Sequence, residues 1–430
     1  MIFKNKENLK MNKKTVNLVM SVANDSGNGS SKTCIQYEDG IKDVSVTPSI
    51  YAPISGKESL PELDDSNVEE LVNNMDIIIK SPAIKTTSEF LVGSAATNSG
   101  NALTAYNVEA NTGKAKPDIT VILPLAKIAY SALTHVWLKN KKQDIPSTIN
   151  VSLANYLTCL PISEFSNSKN RELLQKKLCK GKHMVTIKNF KRDVKVTISF
   201  NLDHTFIYPE GIAAQIGLIY SSDNYLGFRN DALYQKTSPY ENGQDYSNSG
   251  NTLLIDIGDG TTDISVMNGT HPLKGIGVNI SLNQGVGTAA TTASDQLAID
   301  YPQLGHYTRS ILLERASKDN QEGKVLRSKY LEPQINLLMK SIETEVEKEF
   351  RKANNDINTV VVLGGGVNLL TDQNKADFQK MLDSLNPFIS HQKIWWIDSD
   401  HNQLLNLDGL RVFLTRKTGK TSRKVNKCLN

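Results

Sequence analysis

Cysteine is scarce: Cys34, Cys159, Cys179 and Cys428 are the four in 430 residues, and no two stand in C-x-x-C spacing. That pattern removes a structural zinc site and a disulfide framework, and it suits a reducing cytoplasm. Charge of one sign is lacking too. With 49 basic against 45 acidic residues the formal charge is +4, too weak a bias to draw the chain onto nucleic acid. No run approaches ~18 uninterrupted apolar residues, and the opening "MIFKNKENLKMNKKT" has basic residues without the apolar core of a secretory signal. No membrane anchor or export is therefore expected; residues 1–15 read as an extension, with Met11 as an alternative start. Two common phosphate signatures are missing from the most glycine-punctuated stretch, "LLIDIGDGTTDISV" (253–266). No Gly-Lys-Ser/Thr follows its glycines, as a P-loop requires, and Thr262 or Asp263 stands where a dinucleotide fingerprint needs a third glycine.

What is present is an ordinary soluble composition, 39% hydrophobic and 22% charged, in a chain long enough for two domains or a bilobed molecule. One pattern occurs twice. "DSGNGSSK" (25–32) and "DIGDGTTD" (256–263) share Asp-x-Gly-x-Gly followed by two hydroxyl residues, and each is entered by an apolar run and left by an alternating one. Two hairpins with glycine-rich bends are expected. Between them, 54–72 reads as a polar surface excursion, 117–139 as a core helix, 149–157 as a buried strand and 184–200 as a hairpin. Further on, 207–220 reads as a strand end and a small-residue helix beginning near Glu210, and 240–251 as a loop. Ile335, Leu338, Met339, Ile342, Val346 and Phe350 mark one face of a long amphipathic helix. "VVVLGGGVNLL" then ends a buried strand in Gly364, Gly365 and Gly366 before another helix, where bare backbone can lie against a flat ligand or a phosphate.

Glycine-rich bends can aim successive backbone N–H groups into one concavity that holds phosphate oxygens, and two such nests face to face would clasp a polyphosphate. Each bend also carries an aspartate at its entrance. Asp25 and Asp256 are the expected ligands of Mg²⁺, which polyphosphate sites hold through a few carboxylates and water. Lys32, on the strand leaving the first bend, is placed as a point charge for a β- or γ-phosphate.

Taken in order, these three motifs resemble the actin and sugar-kinase ATPase superfamily: its first phosphate motif (Asp25, Gly27, Asn28, Gly29, Ser30, Lys32), its second (Asp256, Gly258, Asp259, Gly260, Thr261, Thr262) and its adenosine motif (Gly364, Gly365, Gly366, Asn368). The resemblance runs over residues ~16 to ~413. "FLVGSAATNSG" (90–100), "LPISEF" (160–165) and "NQLLNLDGLRVF" (402–413) are similar to the plasmid-partitioning bacterial actins of the ParM (StbA) group. It implies an α/β actin-like fold of two lobes, each a ribonuclease H-like mixed sheet flanked by helices, with the nucleotide in the cleft. On this basis lobe I spans 16–205, with an inserted subdomain at about 40–115 and completion by 395–415; lobe II spans 206–394, and 416–430 is a basic tail. The implied cofactors are ATP (or GTP) and Mg²⁺, and Glu210 in "YPEG" resembles the acidic residue that orients the attacking water, beside Asp256 and Lys32 in catalysis. The implied partners are further copies of the chain in filaments and a ParR-like adaptor on a plasmid centromere, with no direct DNA binding. At Asp259 the family more often has a small neutral residue, so a carboxylate near phosphate must turn toward Mg²⁺ or solvent. The alternative in the same superfamily is a sugar-type kinase, for which no acceptor-site aspartate motif is evident. A 70-kDa heat-shock chaperone is disfavoured by the short stretch after residue 413.

Overall fold

Two mixed sheets organise the chain, each built around one of the predicted hairpins. The computed structural model describes residues 15–427, apart from 55–59, 61–67, 86, 107–112, 143–144, 224–226, 274–279, 306 and 387–390, with side chains as far as 418. The first sheet runs in the order Lys42–Pro48, Ser30–Tyr37, Thr15–Ser26, Thr148–Leu160, Val194–Ser199, Lys182–Ile187, Asn74–Lys80, Ser88–Gly93, Ile50–Pro53 and Thr104–Ala105; Thr205–Pro209 also pairs with Thr148–Leu160. The second runs His271–Pro272, Thr262–Asn268, Asn251–Ile257, Thr359–Leu363 and Lys393–Trp396, with Ile280–Leu282 added beside Thr262–Asn268. In both, the strand entering the bend also pairs in parallel with a later strand, Thr148–Leu160 or Thr359–Leu363. A strand paired on both sides and covered on both faces must be apolar nearly throughout, as "VNLVMSVA" and "TLLIDI" are.

Ile119–Lys139 packs beneath the first sheet, with every residue from Ile119 to Leu133 buried. It is the one described helix long and apolar enough to cross a membrane, and that stretch lies wholly inside the protein. Truncating a side chain such as Leu125 there would cost about 2–5 kcal/mol through the cavity left behind. Under the second sheet lies Glu332–Lys352, whose Ile335, Leu338, Met339, Ile342, Val346 and Phe350 are all buried, as their spacing requires. The halves are joined where Ile212–Ile219 crosses the helix Leu405–Lys427. A Cβ on Gly409 would fall 1.7 Å from the Ala213 carbonyl oxygen, and one on Gly217 2.5 Å from that of Leu405, so the "LDG" step permits the backbones to touch.

Several expectations shift. Thr205–Pro209 is a strand of the first sheet, so the chain leaves that sheet after Pro209 rather than at 206. The strands from Lys42 to Ala105 continue the first sheet. The expected loop at 240–251 contains a short helix, Gly243–Ser247, because the Asn242 side chain accepts from the N–H groups of Gln244 and Asp245 and caps it. The second and third glycines open a 3₁₀ turn, Gly365–Leu369, and the α-helix begins only at Asp372. The helix Leu405–Lys427 carries its backbone through most of the expected tail; Arg416 lies 4.8 Å from the Tyr220 ring and Lys417 over Phe206. The 1–15 extension falls outside the described residues except for Thr15, and the 54–72 excursion mostly so.

Candidate functional site

Both bends have the same register. Asp25 stands opposite Lys32 in the first hairpin, and Asp256 stands opposite Asp263 in the second. They open into one cavity of about 390 Å³, lined by Asp25, Gly27, Asn28, Gly29, Ser30 and Lys32 on one side and by Asp256, Gly258, Asp259 and Thr261 on the other. A Cβ on Gly29 would stand 3.3 Å from that of Asp259, so the bends touch and a side chain there would press on the Asp259 carboxylate. Ser49 ties down the first bend, donating from its N–H to the Gly29 carbonyl (3.0 Å) and from its hydroxyl to that of Gly27 (2.7 Å). The second closes on itself, the Gly258 N–H donating to the Thr261 carbonyl at 2.8 Å. The carbonyls of Gly258 and Asp259 accept in turn from Val286 and Gly287, the first residues of the helix Val286–Asp300.

Charge is dense here. Five carboxylates, Asp25, Glu210, Asp256, Asp259 and Asp263, line the cavity against Lys32 and Lys114. Lys32 Nζ sits 3.1 Å from Asp25 Oδ2, and Lys114 Nζ 2.8 Å from Glu210 Oε1, both pairs buried. Burial alone would lower the lysine pKa values; Asp25 raises that of Lys32, and Glu210 with Asp25 holds Lys114 well above its usual range. Glu210 is pushed upward by burial first and then by Asp263 and Asp25, against the pull of Lys114. Asp256 is raised by burial, opposed by Lys32, and accepts from Asn406 Nδ2 at 3.0 Å. Asp263 is raised to about 6, by burial and by Asp256 opposite, and its Oδ1 is buried with no hydrogen-bond partner. Asp259, at the cavity wall, is paired: its Oδ2 is 2.7 Å from an Arg309 guanidinium nitrogen.

Such an acid surplus, with one orphaned carboxylate oxygen, fits a hard divalent cation of the Mg²⁺ type. Donor atoms of Asp25, Glu210 and Cys159 lie within 4.8 Å of one another. The Cys159 thiol, pushed well above its usual range by burial and by Asp25 and Glu210, stays protonated and approaches Asp25 Oδ1 at 3.4 Å.

The cavity is also lined by Gly364, Gly365, Asn368, Leu369, Leu313 and Gln403. Gly364 has φ +92°, and a Cβ there would fall 2.4 Å from Asp256 Oδ1, so the third motif abuts the second. Asn402 Nδ2 donates to Asn368 Oδ1 at 2.8 Å, while Asn402 Oδ1 is buried without a hydrogen-bond partner among the described residues. Gly260, Thr262 and Gly366 do not reach the cavity wall. Thr262 is fully buried and donates to the Gln284 carbonyl, and Gly366 packs on Ile257. Glu210 precedes its helix, which starts at Ile212.

Sequence reasoning assigned no role to Lys114, Asp263, Cys159, Arg309, Asn402, Gln403 or Asn406. Asp263 had a signal, since it stands at the Lys32 position of the second bend. Lys114 in "TGKAKPD" and Arg309 in "YTRS" stand in no repeated pattern, and only the fold brings them to the cleft.

An α/β molecule whose twin hairpins meet over one acidic cavity has the architecture of the actin-like proteins, and the fold of this chain is actin-like. Residues 254–376 match the family model described as archaeal actin homologue MreB-like, C-terminal. Among solved structures, the chain is similar to the actin-like protein Alp7A (16% identity, 96% of this chain and 100% of that one, TM-score 0.66). It is similar to the ParM of a 15-stranded filament from Clostridium botulinum (16%, 93% and 99%, 0.60) and to the archaeal actin homolog Ta0583 in complex with ADP (16%, 93% and 99%, 0.55). No curated protein matches the sequence.

Proposed function

We propose that this chain is a nucleotide-driven, filament-forming ATPase of the bacterial cytoplasm that separates plasmid copies, engaging DNA through a ParR-like adaptor at a plasmid centromere. The observation that carries the reading is the meeting of the two bends over a single cavity walled by Asp25 and Asp256. The triphosphate lies between the bends, with Lys32 and Lys114 offsetting its charge, and the nucleoside lies toward Gly364, Gly365 and Asn368. Asp25 and Asp256 would hold Mg²⁺, and the ion would supply neutralisation of the polyphosphate charge. Glu210, fixed by Lys114, orients the water that attacks the γ-phosphate and takes up its proton. Closure of the lobes on nucleotide shapes a head-to-tail contact, and such a heterologous contact propagates as an open filament.

The ParM that forms a 15-stranded filament and the ADP-bound archaeal homolog support assembly and nucleotide binding in this fold. Light scattering and electron microscopy of the purified protein on addition of ATP-Mg test the reading; a protein that hydrolyses ATP yet stays monomeric at high concentration removes the filament.

A second reading, a small-molecule kinase, is favoured by one observation. A polar cavity of about 330 Å³ adjoins the first through Asn28, Lys114 and Thr261, and Asn167, Asn170, Ser281 and Asn283 line it. Turnover measured with and without sugars separates the two, since only a kinase gains from an acceptor.

A further inference from the structure

Lys114 brings charge to the buried centre of the cleft from a loop rather than from a sheet or hairpin, and a loop lysine needs its backbone held. The holding group is Glu164. Its Oε1 accepts the Lys114 N–H at 2.6 Å and its Oε2 accepts the Ala115 N–H at 3.1 Å, so one carboxylate grips two successive amides. A Cβ on Gly113 would fall 2.5 Å from the Glu164 carboxyl carbon, so the glycine before the lysine is what lets the carboxylate in. From the other side the Thr120 hydroxyl donates to the Lys114 carbonyl, and the Tyr106 hydroxyl donates to Thr120 Oγ1 at 3.1 Å. Both polar groups of the Lys114 backbone are therefore fixed by side chains, and the ammonium emerges 2.8 Å from Glu210. Glu164 does not line the cavity between the bends; it lines the second one, while Lys114 lines both.

We propose that Glu164 is a positioning residue for phosphoryl chemistry: it acts on the cleft only through Lys114, setting the ammonium against Glu210 and the terminal phosphate. The inference rests on the ATPase reading above. Charge-assisted hydrogen bonds from two amides to one carboxylate are strong and geometrically specific. Misplacing a catalytic contact by ~1 Å can cost up to 10² in rate.

The test is a double-mutant cycle on the full chain, with kcat and KM for ATP measured beside thermal unfolding. Glu164→Gln keeps the shape but offers one acceptor oxygen in place of two, and is expected to lower kcat about tenfold with KM changed by less than about twofold. Thr120→Val, which frees the carbonyl instead, should lower kcat by a smaller factor. In a Lys114→Met background both substitutions should have no further effect on kcat, because the group they position is gone. Glu164→Asp, keeping charge but shortening reach, should recover part of the rate. Additive losses in the Lys114→Met background, or an unchanged kcat in folded Glu164→Gln, overturn the proposal while leaving the ATPase intact. A wild-type chain that binds nucleotide without hydrolysing it overturns the ATPase reading and this one together. Should Glu164→Gln not fold, Glu164→Asp takes its place in the cycle, and a kcat unchanged from wild type or a loss additive with Lys114→Met overturns the proposal.

Discussion

The two bends share backbone, register and glycines, yet they differ at the position facing the entrance aspartate. Asp25 faces Lys32, a buried ion pair at 3.1 Å; Asp256 faces Asp263, two carboxylates across one ladder rung. Like charges directly opposite on adjacent strands are destabilising, and Asp263 rises to about 6 as a result of its burial and that neighbour. The first bend thus carries its own cation, whereas the second relies on residues outside it, the charge of Lys32 and an amide hydrogen bond from Asn406 for Asp256 and the charge of Arg309 for Asp259. Duplication of a phosphate-shaped turn does not duplicate its electrostatics. The imbalance leaves the second bend as the half that gains most from a cation and a ligand.

The largest effect should come from a residue that belongs to neither bend. Glu210→Gln removes the carboxylate that orients water while leaving both hairpins in place, so turnover should fall by roughly 10² to 10⁴ with filament assembly preserved. Phosphate release and light scattering on one sample check this. Equal loss of assembly and turnover would place Glu210 in the lobe contact instead.

The asymmetry itself is tested by paired substitutions in the nucleotide-free protein. Asp25→Asn strands Lys32 in a buried site and should destabilise by about 3 kcal/mol at pH 7. Asp263→Asn should do the opposite, raising stability by about 1–2 kcal/mol at pH 7. The pH window follows from the direction of the shift. A carboxyl whose folded pKa is about 6, against an ordinary value of 3.8, binds more protons folded than unfolded between those values. Its contribution is complete below ~4 and is lost as pH rises through about 6. Asp263→Asn should flatten that decline in chemical denaturation series, and saturating nucleotide with Mg²⁺ should reduce the gain. If both substitutions destabilise alike, the two bends are electrostatically equivalent and the comparison fails.

How much of this was legible in sequence follows from where each contact is encoded. The bends, the triple glycine and the amphipathic helix are local, since periodicity and the spacing of glycine carry them, and the structure gathers Asp25, Asp256 and Gly364 at one cavity as that pattern suggested. Glu210 came from resemblance, not from spacing. Lys114 and Arg309 stayed invisible because each is a single basic residue in unpatterned sequence, 96 positions from Glu210 in one case and 50 from Asp259 in the other. The short helix at Gly243–Ser247 was hidden by loop-like composition, although its Asn242 cap was in view.

The smallest effect expected is at the borrowed cation. Arg309 and Asp259 are partly solvent-accessible, with side-chain exposures of 23% and 20%, so their pair contributes modestly to stability, ~1 kcal/mol or less. Its larger consequence lies in the cavity. Arg309→Met would leave the Asp259 carboxylate without its partner beside the site assigned to the triphosphate, and the repulsion should weaken ATP binding about fivefold. Asp259→Asn, by contrast, removes the repelling charge and should leave affinity within about twofold of wild type. The double variant Asp259→Asn, Arg309→Met should recover most of the loss, because neither charge remains. Titration calorimetry at two salt concentrations distinguishes this from a direct Arg309–phosphate contact: in that case the double variant would bind as poorly as Arg309→Met alone, and the second bend would prove to draw its cation for the ligand rather than for itself.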